Sequence, residues 1–190
     1  MAAVGVQCQS FNGSLWREPW ETANSGGEPF KVFTAFWKAC QRVGATGDPV
    51  PAPERLRAPK TWPASLAIED LALRPAIPCD DGIRETWTPG EAGARAALER
   101  FIDESLADYA DNRERPDKTG TSRLSPHLRF GEISPRQIRH AVESAATEAA
   151  AKGAECFLRE LGWREFSYHL LYHFPRLPEG PMQDLSLIHI

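Results

Sequence analysis

Residues 118–138 read KTGTSRLSPHLRFGEISPRQI and predict a helical fold. This stretch contains two helix starts, because Ser125 and Ser134 are each followed by proline, which is favoured in the first turn of a helix. Gln137 stands three residues after Ser134, where a capping box places glutamine or glutamate. The stretch therefore predicts two helices that begin at these serines.

The same stretch holds a candidate phosphate site just before the first of these helices. Thr121 and Ser122 supply hydroxyl groups, Gly120 permits a tight turn, and Arg123 adds a positive charge. The free backbone N–H groups and the positive dipole end of a helix starting at Ser125 would suit a diphosphate. The alternative is that the serines and threonines only cap helices and fill a turn.

Residues 157–170 read FLRELGWREFSYHL and lie in a helix predicted from about residue 154 to residue 174, just before Pro175. One face of this helix carries Glu160, Trp163, Arg164, Ser167 and Leu171. An indole can stack on a base, a guanidinium can meet a phosphate and a carboxylate can accept from a base edge. This face is thus a candidate nucleic-acid surface. The alternative is a core tryptophan beside an ion pair between Glu160 and Arg164.

The region before residue 118 is predicted as one helix preceded by a linker. Thr88-Pro89-Gly90-Glu91 indicates a helix that begins at Pro89 with Thr88 as its N-cap. Apolar residues at helical spacing continue it through Tyr109, up to the breakers Pro116 and Gly120. Eight prolines fall in residues 44–89, so that segment cannot hold a long helix. Residues 30–40 predict a short aromatic helix, and residues 4–8 give a weak strand signal.

Composition and charge are those of a soluble globular protein with one unusual segment. The chain has 190 residues, 42% of them hydrophobic, and a net charge of −4. Residues 112–139 hold seven basic and three acidic residues, which makes them locally positive. This asymmetry favours either a surface that faces a polyanion or a solvated helical face. No apolar run is long enough for a membrane helix, the first ten residues lack a signal sequence, and the chain is expected in the cytoplasm.

The cysteines and histidines predict no metal site. The four cysteines are far apart in the sequence and indicate reduced, structural thiols. His169 and His173 are four residues apart, but they lack the HExxH pattern of zinc enzymes.

The TSRLS and ELGWREF motifs, in this order and separation, resemble the photolyase/cryptochrome family. Residues 10–37, with EPFKVFTAFW, resemble the end of the family's N-terminal α/β antenna domain, and the likeness is strongest to class I cyclobutane pyrimidine dimer photolyases. The resemblance implies a mainly α fold: the all-helical N-terminal portion of a FAD-binding domain, preceded by the tail of an α/β antenna domain and a proline-rich linker. The implied divisions are residues 1–43 for the antenna tail, 44–88 for the linker and 89–184 for the partial helical domain.

The resemblance also implies site residues and an activity. Residues matching FAD contacts are Tyr109, Thr121, Ser122, Arg123, Leu124, Ser125 and Phe157, the last replacing a tryptophan common in the family. Residues assigned to DNA are Arg113, Glu160, Trp163, Arg164 and Ser167, and Glu160 and Trp163 would also serve catalysis at the lesion. The implied function is light-dependent repair of pyrimidine dimers in DNA by a protein that is monomeric at full length. The alternatives are a cryptochrome-type photoreceptor and a non-catalytic helical DNA-binding module.

The two ends of the chain suggest that it is part of a longer protein. Residues 185–190, LSLIHI, match the translated end of a sequencing adapter, although a genuine apolar tail is the alternative. We therefore expect a natural sequence truncated at both ends, inactive alone and unable to bind the antenna chromophore, a folate or deazaflavin, of the full-length protein.

Overall fold

The structure, a computed structural model, describes residues 5, 7–43, 49–75, 77 and 79–182, and within them the regular elements are all helical. They are α1 Phe33–Val43, α2 Asp81–Thr86, α3 Glu91–Glu104, α4 Tyr109–Asn112, α5 Ser125–Phe130, α6 Pro135–Ala145 and α7 Ala151–His173, with short 3-10 turns at Pro19–Glu21 and Glu69–Leu71. The helical fold class is thereby confirmed. The weak strand predicted at residues 4–8 falls partly outside the described residues, as the predicted adapter tail does entirely. None of the described helices has the length and apolarity to cross a membrane.

Helix α7 is the element around which the others are arranged. It packs against α1, α4, α6 and the Pro19–Glu21 turn. Phe157 and Leu161 lie on its buried side, 5% and 6% exposed, in a core shared with α3 and α6. Trp16 belongs to the same core although it precedes α1 in the sequence. The N-terminal segment is therefore held on the helical core by burial of apolar surface.

Local sequence patterns predicted the starts of α5 and α6 correctly. The Ser134 N–H donates to Gln137 Oε1 at 2.8 Å, and the Gln137 N–H donates to Ser134 Oγ at 3.2 Å, which confirms the capping box. Helix α5 begins at Ser125 as predicted, with Leu124 in the N-cap position. The predicted helices near residues 30–40 and 154–174 are present with shifted bounds, as α1 and α7.

The predicted start and length of the helix after Thr88 are wrong. Helix α3 begins at Glu91, and its N-cap is Gly90 at φ 95°, a left-handed conformation that favours glycine. The chain folds back over the first turn there, so that a Cβ atom on Gly93 would lie 1.8 Å from the Thr88 carbonyl oxygen. At the other end α3 stops at Glu104, and Tyr109 opens the separate helix α4.

Gly153 sets how closely α7 approaches the turn between α3 and α4. A Cβ atom there would lie 1.7 Å from the Leu106 carbonyl oxygen, and backbone cannot move aside as a flexible side chain can. We expect Gly153→Ala to lower the free energy of unfolding by about 1–3 kcal/mol or more, the usual effect of overpacking. Gly82→Ala on α2, where no atom of the described residues lies within 4 Å, should be neutral or stabilising. Denaturant unfolding of both variants tests this, and an unchanged midpoint for Gly153→Ala would contradict the close approach.

Candidate functional site

A depression of about 390 Å³ lies between the end of α4 and the middle of α7; we call it the α7 depression. Its lining includes Phe33, Arg113, Cys156, Arg159, Glu160 and Trp163. The guanidinium of Arg113 donates to Glu160 Oε1 and to Cys156 Sγ, the latter at 3.5 Å. The hydrogen bond that Arg113 donates to Glu160 raises the pKa of Arg113, which therefore stays charged. The depression thus contains a preformed and oriented ion pair.

Trp163 presents one open face to the α7 depression. Its other face is stacked on Phe33, with ring centroids 3.7 Å apart and ring planes within 11° of parallel. The side chain remains 45% exposed. An aromatic ring clamped on one side and open on the other is a platform on which a further planar ring can stack. Trp163 is therefore not a core tryptophan, which was the alternative interpretation.

Arg164 and Ser167 are not brought into the α7 depression. Arg164 Nη1 donates to the Ser14 carbonyl oxygen at 2.9 Å and to Glu165 Oε1 at 3.0 Å. The Ser167 hydroxyl donates back to the Trp163 carbonyl oxygen at 2.9 Å, within the helix. The alternative ion pair between Glu160 and Arg164 does not form, because Glu160 is paired with Arg113 instead.

The TSRLS segment borders a second and larger groove of about 610 Å³, here called the α3 groove. Thr121, Ser122 and Arg123 line it together with Arg100 and Trp87. Arg123 has a φ of 52°, and its carbonyl oxygen accepts a hydrogen bond from Trp87 Nε1 at 3.2 Å, which fixes the turn. Two hydroxyl-bearing residues and two arginines thus border one open space, which Glu85 and Glu104 also line.

Gly120 lets the TSRLS segment run directly against the end of α4. A Cβ atom there would lie 2.8 Å from the Asn112 carbonyl oxygen, so only glycine fits without a shift of the backbone. Leu124, in contrast, is 2% exposed and belongs to the core, and Ser125 opens α5 outside the groove lining. The segment thus supplies polar groups at residues 121–123 and an anchor at residue 124.

An aromatic cluster lies between the two cavities. Tyr109 and Phe157 have ring centroids 5.3 Å apart, and Phe101 lies 5.5 Å from the first and 4.5 Å from the second. Phe101 lines the α3 groove, whereas Arg113 of the α7 depression lies 5.8 Å over the Tyr109 ring. Burial raises the pKa of Tyr109, which keeps the phenol neutral. The predicted cofactor and DNA residues are therefore neighbours across one layer of rings.

Glu165 was missed from the sequence and is the most deeply buried acid described. It is 5% exposed, and its Oε2 accepts from the Trp16 N–H at 2.7 Å. His169, one turn further along α7, accepts from the Phe30 N–H at 3.1 Å. Helical spacing could have predicted their burial, because residues 165 and 169 fall on the buried side of α7 with Leu161 and Phe166.

Glu165 should make stability depend on pH. Burial raises the pKa of Glu165 from 4.5 to about 7, so the folded protein retains a proton that the unfolded chain releases. The contribution of Glu165 to the free energy of unfolding is largest below about pH 4.5 and falls as the pH rises through 7. It amounts to up to about 3 kcal/mol. Because Gln cannot titrate, we expect Glu165→Gln to remove this decline.

The difference in unfolding free energy between wild type and Glu165→Gln, measured from pH 4.5 to 8, isolates the glutamate from other groups. His169 is one of these other groups. Burial lowers the pKa of His169, so its effect on the pH dependence of stability has the opposite sign. Exposed Glu155 on the same helix provides the control variant Glu155→Gln. A difference that stays constant across this pH range would contradict the raised pKa.

Comparisons with known proteins agree on one family. The family model for DNA photolyase matches residues 1–54. The deoxyribodipyrimidine photo-lyase of Agrobacterium fabrum is 40% identical over 181 residues, which cover 95% of this chain and 38% of the relative. Cryptochrome-1 of Arabidopsis thaliana is 32% identical, with 96% of this chain and 28% of that protein covered.

The fold agrees with that of a solved structure as well. The crystal structure of a bacterial class III photolyase from Agrobacterium tumefaciens has a TM-score of 0.88 and 40% identity to the chain. The match covers 96% of this chain and 38% of that one. The chain therefore spans less than two fifths of the length of these relatives.

Proposed function

The chain belongs to the photolyase/cryptochrome family, and on that premise we propose that the whole protein repairs cyclobutane pyrimidine dimers in DNA with light and reduced FAD. Relatives named deoxyribodipyrimidine photo-lyase support this assignment. The chain covers 38% of the first of these relatives and holds only part of each site, so we expect it to be inactive alone. We keep residues 1–43, 44–88 and 89–184 as the proposed antenna tail, linker and partial helical domain. Class I membership, a cytoplasmic location, a monomeric state and a folate or deazaflavin antenna chromophore stay predictions.

The observation that carries the proposal is the pairing of Glu160 with Arg113 beside the open face of Trp163. Photolyases are among the enzymes that extrude their target base from the duplex, so the cavity must receive a base edge and a base face. The Trp163 ring offers a stacking surface for the face, and the Glu160 carboxylate accepts hydrogen bonds from N–H groups of the edge. Arg113 holds that carboxylate in place before the base arrives.

Four residues that line the α3 groove have the chemistry to hold the diphosphate end of FAD. Thr121 and Ser122 provide hydroxyl donors, and Arg123 and Arg100 provide positive charge in the same open space. The aromatic cluster of Phe101, Tyr109 and Phe157 would close the cofactor site from water and separate it from the lesion. Phe157 keeps the aromatic body of the family's tryptophan but has no N–H donor. When bound, reduced FAD supplies the light-driven electron that splits the cyclobutane ring.

A second candidate function is blue-light signalling without repair. Cryptochrome-1 and Cryptochrome-2 of Arabidopsis thaliana are 32% and 36% identical to the chain over at least 90% of its length. Such a protein would hold the same cofactor but would not need a cavity that receives a damaged base. Glu160 and Trp163 in the α7 depression favour repair.

The test is photorepair by the full-length protein with its flavin reduced. A duplex with one thymine dimer should be restored under blue light and remain unchanged in the dark. Flavin binding without light-dependent repair would favour the photoreceptor. Repair confined to duplexes with a (6-4) lesion would contradict the assignment to cyclobutane dimers.

A further inference from the structure

Arg159 lies at the edge of the α7 depression and forms no ion pair with an acid among the described residues. It is exposed on α7 and lies one turn before Trp163. Arg159 lines the α7 depression and also a neighbouring depression of about 350 Å³, which Asp111, Lys152 and Glu155 help to form. Arg159 therefore lies on the ridge between the α7 depression and the neighbouring depression.

The other cations around this ridge are neutralised. Arg113 is paired with Glu160, and Lys152 Nζ lies 2.8 Å from Asp111 Oδ1. Among the described residues, the contact of Arg159 is a weak one, from its Nη2 to Cys156 Sγ at 3.8 Å, with no carboxylate. A guanidinium held on a rigid helix with unused donors is suited to bind a phosphate.

We propose that Arg159 binds a phosphate of the DNA strand at the mouth of the α7 depression. The inference rests on the proposed function and adds to it the residue that positions the strand. A side chain four residues away on a helix is displaced by about 6 Å along the axis, so Arg159 and Trp163 can reach parts of one nucleotide. Arg113 would then serve mainly to orient Glu160.

The test uses the salt dependence of DNA binding by the full-length protein. Each phosphate contact contributes about 0.9 to the slope of log affinity against log salt. Arg159→Gln should lower that slope by about 0.9, so that the loss of affinity from 50 to 200 mM salt is about 3.5-fold smaller than in wild type. Arg159→Lys keeps the charge and should keep the slope. Arg95→Gln on α3 removes an exposed charge outside both depressions and serves as the control.

The outcomes separate this inference from the proposed function. An unchanged slope in Arg159→Gln, or an equal fall in Arg95→Gln, would overturn the phosphate contact. A fall in Arg159→Lys as large as in Arg159→Gln would overturn an electrostatic role. If wild type does not distinguish damaged from undamaged duplex, the lesion assignment fails, whereas the phosphate contact is still decided by the slopes.

Discussion

Trp163→Ala should weaken binding of the full-length protein to DNA with a pyrimidine dimer by roughly 5- to 150-fold. This range corresponds to about 1–3 kcal/mol for one base stacked on an aromatic ring. The open face of Trp163 is the surface that would be lost, since its other face is covered by Phe33. Binding to undamaged duplex, which depends mainly on phosphate contacts, should change much less.

A second variant separates stacking on DNA from stacking inside the protein. Trp163→Phe keeps a ring on Phe33 and should preserve stability, while a smaller surface remains for the base. Trp20→Ala is the control, because Trp20 is 60% exposed and pairs with Tyr172 outside the α7 depression. Flavin content, thermal unfolding and the two affinities are measured on one preparation. Parallel loss of all of them in Trp163→Ala would contradict an open substrate face.

Glu160→Gln should reduce the preference for damaged over undamaged duplex by roughly 10- to 150-fold. A hydrogen bond to a charged group is worth about 1.5–3 kcal/mol, and the neutral amide cannot match the carboxylate as an acceptor. The substitution also releases Arg113 from its ion pair, which adds a free positive charge to the depression. Affinity for undamaged duplex should therefore rise while affinity for the lesion falls.

The matched control is Glu99→Gln, which removes one negative charge from an exposed position of α3 outside both depressions. A general effect of charge would raise both affinities equally in the two variants. Competition binding with the two duplexes distinguishes these results. An unchanged preference in Glu160→Gln would show that the carboxylate does not contact the lesion.

Short-range sequence signals predicted much of the fold correctly. The Ser134 cap, the start of α5 and the apolar period of α7 each depend on residues a few positions apart, where backbone chemistry is decisive. The start of α3 was misplaced by two residues, because a glycine at positive φ took the cap from a threonine with better side-chain chemistry. Gly93, which has no Cβ, leaves room for the Thr88 carbonyl oxygen against the first turn of α3.

The candidate sites were only partly predictable, because several of their contacts join residues that are far apart in the sequence. The residue types of Thr121, Arg123 and Trp163 indicated their chemistry, but helical spacing could not give the direction of Arg164. That side chain turns to Ser14, whose position depends on a contact spanning 150 residues. The partners of Glu160 and Glu165 were hidden for the same reason, since each is paired with a distant segment.

The contact between Trp16 and Glu165 also has a consequence for synthesis of the protein. The two residues are 149 positions apart, so the N-terminal segment leaves the ribosome long before α7 exists. At about 5–20 residues per second, the delay is roughly 8–30 s. During that interval Phe33, Phe36 and Trp37 lack the α7 side chains against which they pack in the folded chain. The newly made aromatic segment is therefore a site for chaperone capture, and its exposure ends only when α7 emerges.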